Sequence, residues 1–449
     1  MLLLHISDIH FCSPECLNPD FDPERPYRTQ LIRDVKSRVS ELGGVNAILI
    51  SGDIAFKGAP EEYETAMAWI KELAAGALCP LERVFVVPGN HDVDRSRILQ
   101  SLSTRNAQAA IANAQDAHQR EREFRAQICD SATGRALLEP IKAYNDFAAF
   151  FNCQVYLPDK LIWKQDLELE HKVQLRIHGL TSTIMSGADG KDDSRESLYL
   201  SPLQTVLDPE EDIVNLVLAH HPPEWFMDQY ACEDAINGRA MVHMFGHTHR
   251  QRIVRDTQYV RFSAGAVNPE RYESGWLPGY NLVEIHVVGD GPERQLEINS
   301  HLLQWQTSPD MFRPAQTQEG EDVFRHVIRF PGTTRTTSSA ETSNEKSSPA
   351  QPSELEQQGA QDVYHDSEHA PQSDREAAMG DANTRHLVYR FWNLKGSERR
   401  EIVETLGLTE VDERFLPEPE RYGRALIRAS KQDMLKELAD EVRQREIKR

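Results

Sequence analysis

The stretch from Val84 to Asp92 stops an apolar run at Pro88 and Gly89, then delivers an amide, an imidazole and a carboxylate at Asn90, His91 and Asp92. A short β-branched run bounded by Pro and Gly reads as a buried strand, and the loops leaving such strands are where α/β proteins place chemistry. Four other runs end the same way. Leu2 to Ile6 leads through Ser7 into Asp8 and His10, and Ala47 to Ile50 leads through Ser51 and Gly52 into Asp53. Ile213 to Ala219 leads into His220 and His221, and Ala240 to Phe245 leads through Gly246 into His247 and His249. An Asp after a strand ordinarily caps a helix, and a lone His is ordinarily a core or surface residue. Five such endings in order predict one shared site.

Helical patterns run from about Tyr27 to Leu42 and from about Glu61 to Ala75 between the first three strands. Strand alternating with helix predicts a sheet with crossover helices, its carboxyl edge carrying the ligand loops. Residues 95 to about 152 lack strand character and predict a helical insertion. Its aromatic end, with Tyr144, Phe147, Phe150 and Phe151, reads as a packed helix face, with a substrate-selecting lid as the alternative. Strands resume at 161–167, 173–180, 251–262, 280–288 and 295–306. Their short hairpin signals predict a second, mostly antiparallel sheet facing the first.

Residues 332–382 are Ser, Thr, Gln, Glu, Pro and Ala with few large apolar side chains, too few to offset the entropy of ordering. They read as a flexible acidic linker after a catalytic domain spanning 1–331. In 383–449, Leu387, Phe391 and Leu394 recur at helical spacing, Ser397 is placed to cap a helix carrying Ile402 and Leu406, and Leu435, Leu438 and Val442 mark a last helix. This predicts a small all-α interaction domain with no ligand cluster of its own. The net charge of −21 leaves about −16 on residues 1–331, a poor match for a protein that grips a long phosphate track. Six cysteines without paired spacing fit a reducing compartment, and no membrane span or export signal is visible, so a cytoplasmic location is expected.

Carboxylate, amide and imidazole ligands together suit Mn, Fe, Zn or Ni rather than an all-oxygen Ca shell, with Mn preferred. Asp8, His10, Asp53, Asn90, His220, His247 and His249 are too many for one catalytic ion with an open position. Two divalent ions sharing a bridging carboxylate would use them all and could activate a water for in-line attack on a phosphoester. His91, adjacent to a ligand, is placed to help the leaving alkoxide, and Asp92 to orient His91.

The blocks Asp8-x-His10, Gly52-Asp53, Gly89-Asn90-His91-Asp92, His220-x-Pro222 and Gly246-His247-x-His249 resemble, in order, those of the calcineurin-like metallophosphoesterases over about residues 1–300. The resemblance implies a four-layer αββα sandwich. It implies one ion on Asp8, His10, Asp53 and His249 and another on Asp53, Asn90, His220 and His247, with Asp53 as the bridge and His221 as the fallback for His220. The wording around Asp53 and the His220-His221-Pro222-Pro223 block resemble bacterial cyclic-nucleotide-phosphodiesterase-like members. The expected reaction is therefore hydrolysis of a nucleotide or cyclic-nucleotide diester, with a nuclease on DNA or RNA as the alternative. The tail loosely resembles helical adaptor domains of bacterial signalling and defence systems, which implies a protein partner recruited through 383–449.

Overall fold

The computed structural model describes residues 1–208, 210–268, 277–289, 293–330, 387, 390–391, 394, 396–408, 418–432 and 434–447. They fall into two compact units, Met1–Ser339 and Ala340–Arg449. In the first, β1 (Leu2–Ile6), β2 (Ala47–Ile50) and β3 (Val84–Val86) run parallel and are buried along their whole length. Strands covered on both faces have no use for polar alternation, which is why these read as continuous apolar runs.

The crossovers are α1 (Arg25–Leu42) and α2 (Pro60–Gly76), both with Pro in the first turn, where its missing N–H costs nothing. In α1 the buried Leu31, Ile32, Val35 and Val39 follow the helical repeat and face the sheet.

On its other edge β1 pairs antiparallel with β10 (Gly279–Val288), and β10 pairs with β11 (Gln295–Gln306). Further strands β12 (Met311–Pro314) and β13 (Phe324–Arg329) both pair with β11, completing a seven-stranded sheet in the order β12-β11-β10-β1-β2-β3 with β13 off the path. The second sheet is built from β4 (Trp163–Glu168), β5 (Gln174–Gly179), β6 (Ile213–Ala219), β7 (Val242–Phe245), β8 (Arg252–Arg255) and β9 (Val260–Ser263), in the order β4-β5-β6-β7-β9-β8.

The expected mostly antiparallel second sheet is corrected here: β5, β6, β7 and β9 are parallel, and only the β4 and β8 edges are antiparallel. β10 and β11 do form an antiparallel hairpin, but a hairpin signal says nothing about which sheet receives the pair. The open edge of β1 takes it.

Leu3, Leu49 and Val283 of the first sheet and Ile177, Leu216, Leu218 and Met244 of the second belong to one fully buried core, and Phe85 meets Trp163 across it at 5.8 Å, so the sheets pack face to face. Each such side chain contributes about 1.5–3 kcal/mol through burial.

The insertion is helical as expected: α3 (Arg95–Gln100), α4 (Leu102–Ala112), α5 (Ala117–Cys129), α6 (Ser131–Leu138) and α7 (Lys142–Ala148). Ile111, Phe124, Ile128 and Leu137 share a second core with Leu180, Ile184, Tyr199 and Phe245. Tyr144, Phe147 and Phe151 are buried, and the Tyr144 hydroxyl donates to the Val86 carbonyl at 3.0 Å, so the aromatic end is a packed face. Phe150 alone of the four is exposed.

In the second unit, helices Gly396–Thr405, Glu418–Lys431 and Leu435–Ile447 enclose Leu387, Phe391, Leu394, Ile402, Tyr422, Leu438 and Val442. The proposed linker, 332–382, lies outside the described residues. Among the described residues no helix is long and apolar enough to cross a membrane.

Replacing Leu49, fully buried between the sheets, by Ala is expected to cost about 3 kcal/mol, read as a lower urea midpoint at unchanged slope.

Candidate metal centre

The ends of β1, β2 and β7 turn sharply to present their polar residues beside those that follow β3 and β6. Asp8, His10, Asp53, His247 and His249 all adopt left-handed backbone, with φ of 53, 51, 52, 66 and 52°. Such conformations are uncommon for non-glycine residues and persist only where the surroundings impose them. Backbone bonds between the loops do so: Asp8 N donates to Gly52 O at 3.1 Å, Ile9 N to Asp53 O at 2.8 Å and Asn268 N to Asp8 O at 3.1 Å. Glycine is required by proximity at two points. A Cβ on Gly89 would lie 2.1 Å from Asp53 Oδ1, and one on Gly246 would lie 2.1 Å from Ser7 Oγ.

The seven residues expected as ligands come together. Asp53 Oδ2 lies 3.4 Å from His10 Nε2 and 3.2 Å from His220 Nε2. Asn90 Oδ1 lies 3.0 Å from His220 Nε2 and 2.9 Å from His247 Nδ1. His249 Nε2 lies 3.2 Å from Asp8 Oδ1. Asp8, Asp53 and His220 are fully buried, and His10 and Asn90 nearly so.

His91 also enters a cluster with His10 and Asp53. Its Nδ1 donates to the Phe56 carbonyl at 3.0 Å, and its ring stacks on Phe56 at 4.8 Å. The expectation that Asp92 orients His91 is corrected: the Phe56 carbonyl does so. The Asp92 carboxylate is taken up by Gly89 N at 2.8 Å, Ala55 N at 2.9 Å, Ile54 N at 3.3 Å and the Tyr63 hydroxyl at 2.8 Å. It therefore ties the loop after β2 to the loop after β3. Burial, reinforced by Asp53, pushes its pKa up to about 6.

Several residues that sequence reasoning missed orient these groups. The Ser51 carbonyl accepts from His220 Nδ1 at 2.7 Å, which turns Nε2 towards Asp53. The Asn268 carbonyl accepts from His10 Nδ1 at 3.2 Å. Backbone carbonyls have no side-chain signature, so no residue type marks them in the sequence. His221 is not arranged as His220 is: its Nδ1 meets Ser182 Oγ at 2.8 Å and its Nε2 faces Asp193.

Burial opposes ionisation of Asp53, but the charges of His220 and His91 and hydrogen bonds from His10 and His220 hold it well below the usual carboxylate range. Burial would likewise lower His220, yet Asp53, Asp8 and the Ser51 carbonyl outweigh it and raise His220 to about 9. His220 Nε2 and His247 Nδ1 face each other at 3.2 Å. Buried carboxylates converging with imidazole nitrogens at such spacing demand cations. Donors set at right angles about one ion, each ~2.1 Å from it, would stand ~3 Å apart, so the chemistry and spacing fit divalent metal.

Residues 1–251 match the calcineurin-like phosphoesterase family. The match covers more than half of the 449 residues, and the chain belongs to that family, whose members use divalent metals. Residues 383–444 match the GTPase-associated adaptor domain. No curated protein matches. Similar solved structures include Vps29 of Chaetomium thermophilum, at 12% identity over 74% of this chain and 99% of that one with a TM-score of 0.28. Wild-type Vps29 complexed with zinc from Entamoeba histolytica gives 10% over 74% and 99%, with a TM-score of 0.28. An archaeal phosphodiesterase gives 12% over 63% and 93%, with a TM-score of 0.26. Likeness at this level is too slight to bear on activity.

Two outcomes follow from the geometry. The metal-free protein should lose stability as pH rises: His220, raised from 6.5 to about 9, stabilises fully below 6.5 and not at all well above 9. Unfolding free energies extrapolated from urea melts at pH 6.5 and 9.5 should therefore differ by on the order of 3 kcal/mol on account of His220. Asp92→Ala, which strips the acceptor from four buried donors, should lower stability by about 3 kcal/mol even without metal, measured by the same denaturation.

Proposed function

We propose that the chain is a two-metal phosphodiesterase acting on a nucleotide or cyclic nucleotide. Asp8, His10, Asp53 and His249 would hold one ion, and Asp53, Asn90, His220 and His247 the other. The carrying observation is that Asp53 stands between the two groups, within 3.4 Å of His10 and 3.2 Å of His220. Bound there, the ions would supply Lewis-acid activation of water and charge neutralisation at the phosphoryl oxygens.

The residues of the chain do the rest. His220 and His10 present their Nε2 lone pairs because carbonyls hold their Nδ1 protons. Asp53 is fixed by its hydrogen bond from His91 N at 2.8 Å. With Nδ1 committed to Phe56, His91 is left with Nε2 as the atom that would hand a proton to the leaving alkoxide. The left-handed turns place Asp8, His10, Asp53, His247 and His249 before substrate arrives, so little reorganisation is left for the reaction itself.

The acidic character of 1–331 supports a small diester over a polymer, whose binding would need clustered Lys and Arg. The adaptor-domain match supports recruitment of the enzyme to a protein partner through 383–444.

Mn-loaded protein should open a cyclic nucleotide selectively in a panel that includes linear dinucleotides, single-stranded DNA and RNA. Cleavage of the polymers instead would make the protein a nuclease. Asp53→Ala should abolish turnover and metal loading together; two metals per chain in that variant would overturn the bridging assignment. His91→Ala should lower kcat by about 10²–10⁴-fold while metal content stays at the wild-type value.

A further inference from the structure

Ligating imidazoles are ordinarily oriented by a hydrogen bond to the ring nitrogen that does not face the metal. His220 and His10 follow this pattern through the carbonyls of Ser51 and Asn268. His247 does not. Its Nδ1 faces Asn90 Oδ1 and His220 Nε2, and among the described residues its other ring nitrogen makes no hydrogen bond. Ring packing takes the place of that bond. Trp225 stands perpendicular to His247 at 4.0 Å, His221 lies against it at 4.5 Å, and His220 closes a third side at 5.0 Å. The orientation of His247 is therefore only as well fixed as that of the rings around it.

The His221 ring is fully buried and fixed from both ends. At one end Ser182 Oγ lies 2.8 Å from Nδ1 while also receiving His221 N at 3.4 Å. A hydroxyl that accepts from the backbone and donates to Nδ1 leaves the ring proton on Nε2. At the other end that Nε2 faces Asp193 Oδ2 at 3.7 Å, beyond direct hydrogen-bond length but within reach of a bridging water. Neither atom has a hydrogen-bond partner, and the Asp193 side chain is only 4% exposed. The other Asp193 oxygen accepts from Gly187 N at 2.9 Å, which fixes the carboxylate in its own loop. That loop is held to the helical insertion by Asp192, whose carboxylate pairs with Arg95 at 2.5 Å.

We infer that Asp193 is a positioning residue of the metal centre, orienting His221 and, through its ring, His247. The inference rests on the two-metal reading above. It adds a device from outside the ligand blocks: Ser182 lies in the polar run Thr181-Ser182-Thr183 just beyond β5, and Asp193 lies in the loop that follows.

The test is Mn binding by the full chain, followed by metal analysis and competition isotherms, with thermal unfolding and kinetics alongside. Asp193→Ala should weaken the ion that contacts His247 about 10–100-fold while leaving the other unchanged, and kcat at saturating Mn should fall less than the affinity does. Asp193→Asn, which keeps an acceptor for Nε2, should recover the affinity to within about threefold of wild type. Arg95→Ala, a change at a partly exposed position that leaves the core intact, should weaken the same ion in the same direction by a smaller factor. This variant keeps the test open if Asp193→Ala fails to fold.

Wild-type isotherms for both ions in Asp193→Ala would overturn the inference, as would equal weakening of both ions. A wild-type chain that binds fewer than two ions would instead overturn the two-metal reading, so the two failures are distinguishable.

Discussion

Asp8 and Asp53 are fully buried beside one another, and the charge of Asp53 disfavours ionisation of Asp8. Removing a carboxylate from water costs several kcal/mol even after the protein relaxes, and two in one place cost more than hydrogen bonds alone return. The edge of the sandwich is organised around that cost. Imidazoles come from four loops, backbone carbonyls turn them, and an asparagine oxygen adds a donor without adding charge. Asp92, a third buried acid, lies near enough for Asp53 to raise its pKa. Its charge is shared by three backbone amides and the Tyr63 hydroxyl, so it braces the loops even though it adds to the repulsion.

The residues that converge at this edge were legible because metal chemistry needs particular side chains, and strand ends can be recognised from apolar runs. Asp8 and His10 carry their meaning in their identity and spacing. The parts that were not legible act through the backbone or by shape. The Phe56 and Ser51 carbonyls orient two imidazoles, yet any residue possesses a carbonyl. Asp92 was misjudged because proximity in sequence to His91 suggested contact, whereas the short turn at Asn90 to Asp92 sends the neighbouring side chains different ways.

The fold followed a similar division. Crossover helices and the insertion were readable from periodicity, since burial of one helix face imposes it. Sheet membership was not, because β10 and β11 carry the same hairpin pattern whichever sheet they complete. Pairing with the free edge of β1 depends on a contact across nearly the whole catalytic unit, and local sequence holds no record of it. The small C-terminal unit was readable for the opposite reason. Its core uses nearby residues such as Leu387 and Phe391, and Leu438 and Val442.

The donors come from both sheets of the sandwich: Asp8, Asp53 and Asn90 follow strands of the first, while His220 and His247 follow strands of the second. The centre thus measures the registry of one sheet against the other. A shear of ~1 Å between the layers would draw the imidazoles away from the carboxylates, a displacement on the scale that can cost about a hundredfold in rate. Apolar contacts outside the polar cluster, such as those of Leu49 and Met244, act in this sense as the calibration of the instrument. A core substitution that leaves the protein folded can therefore still detune its chemistry.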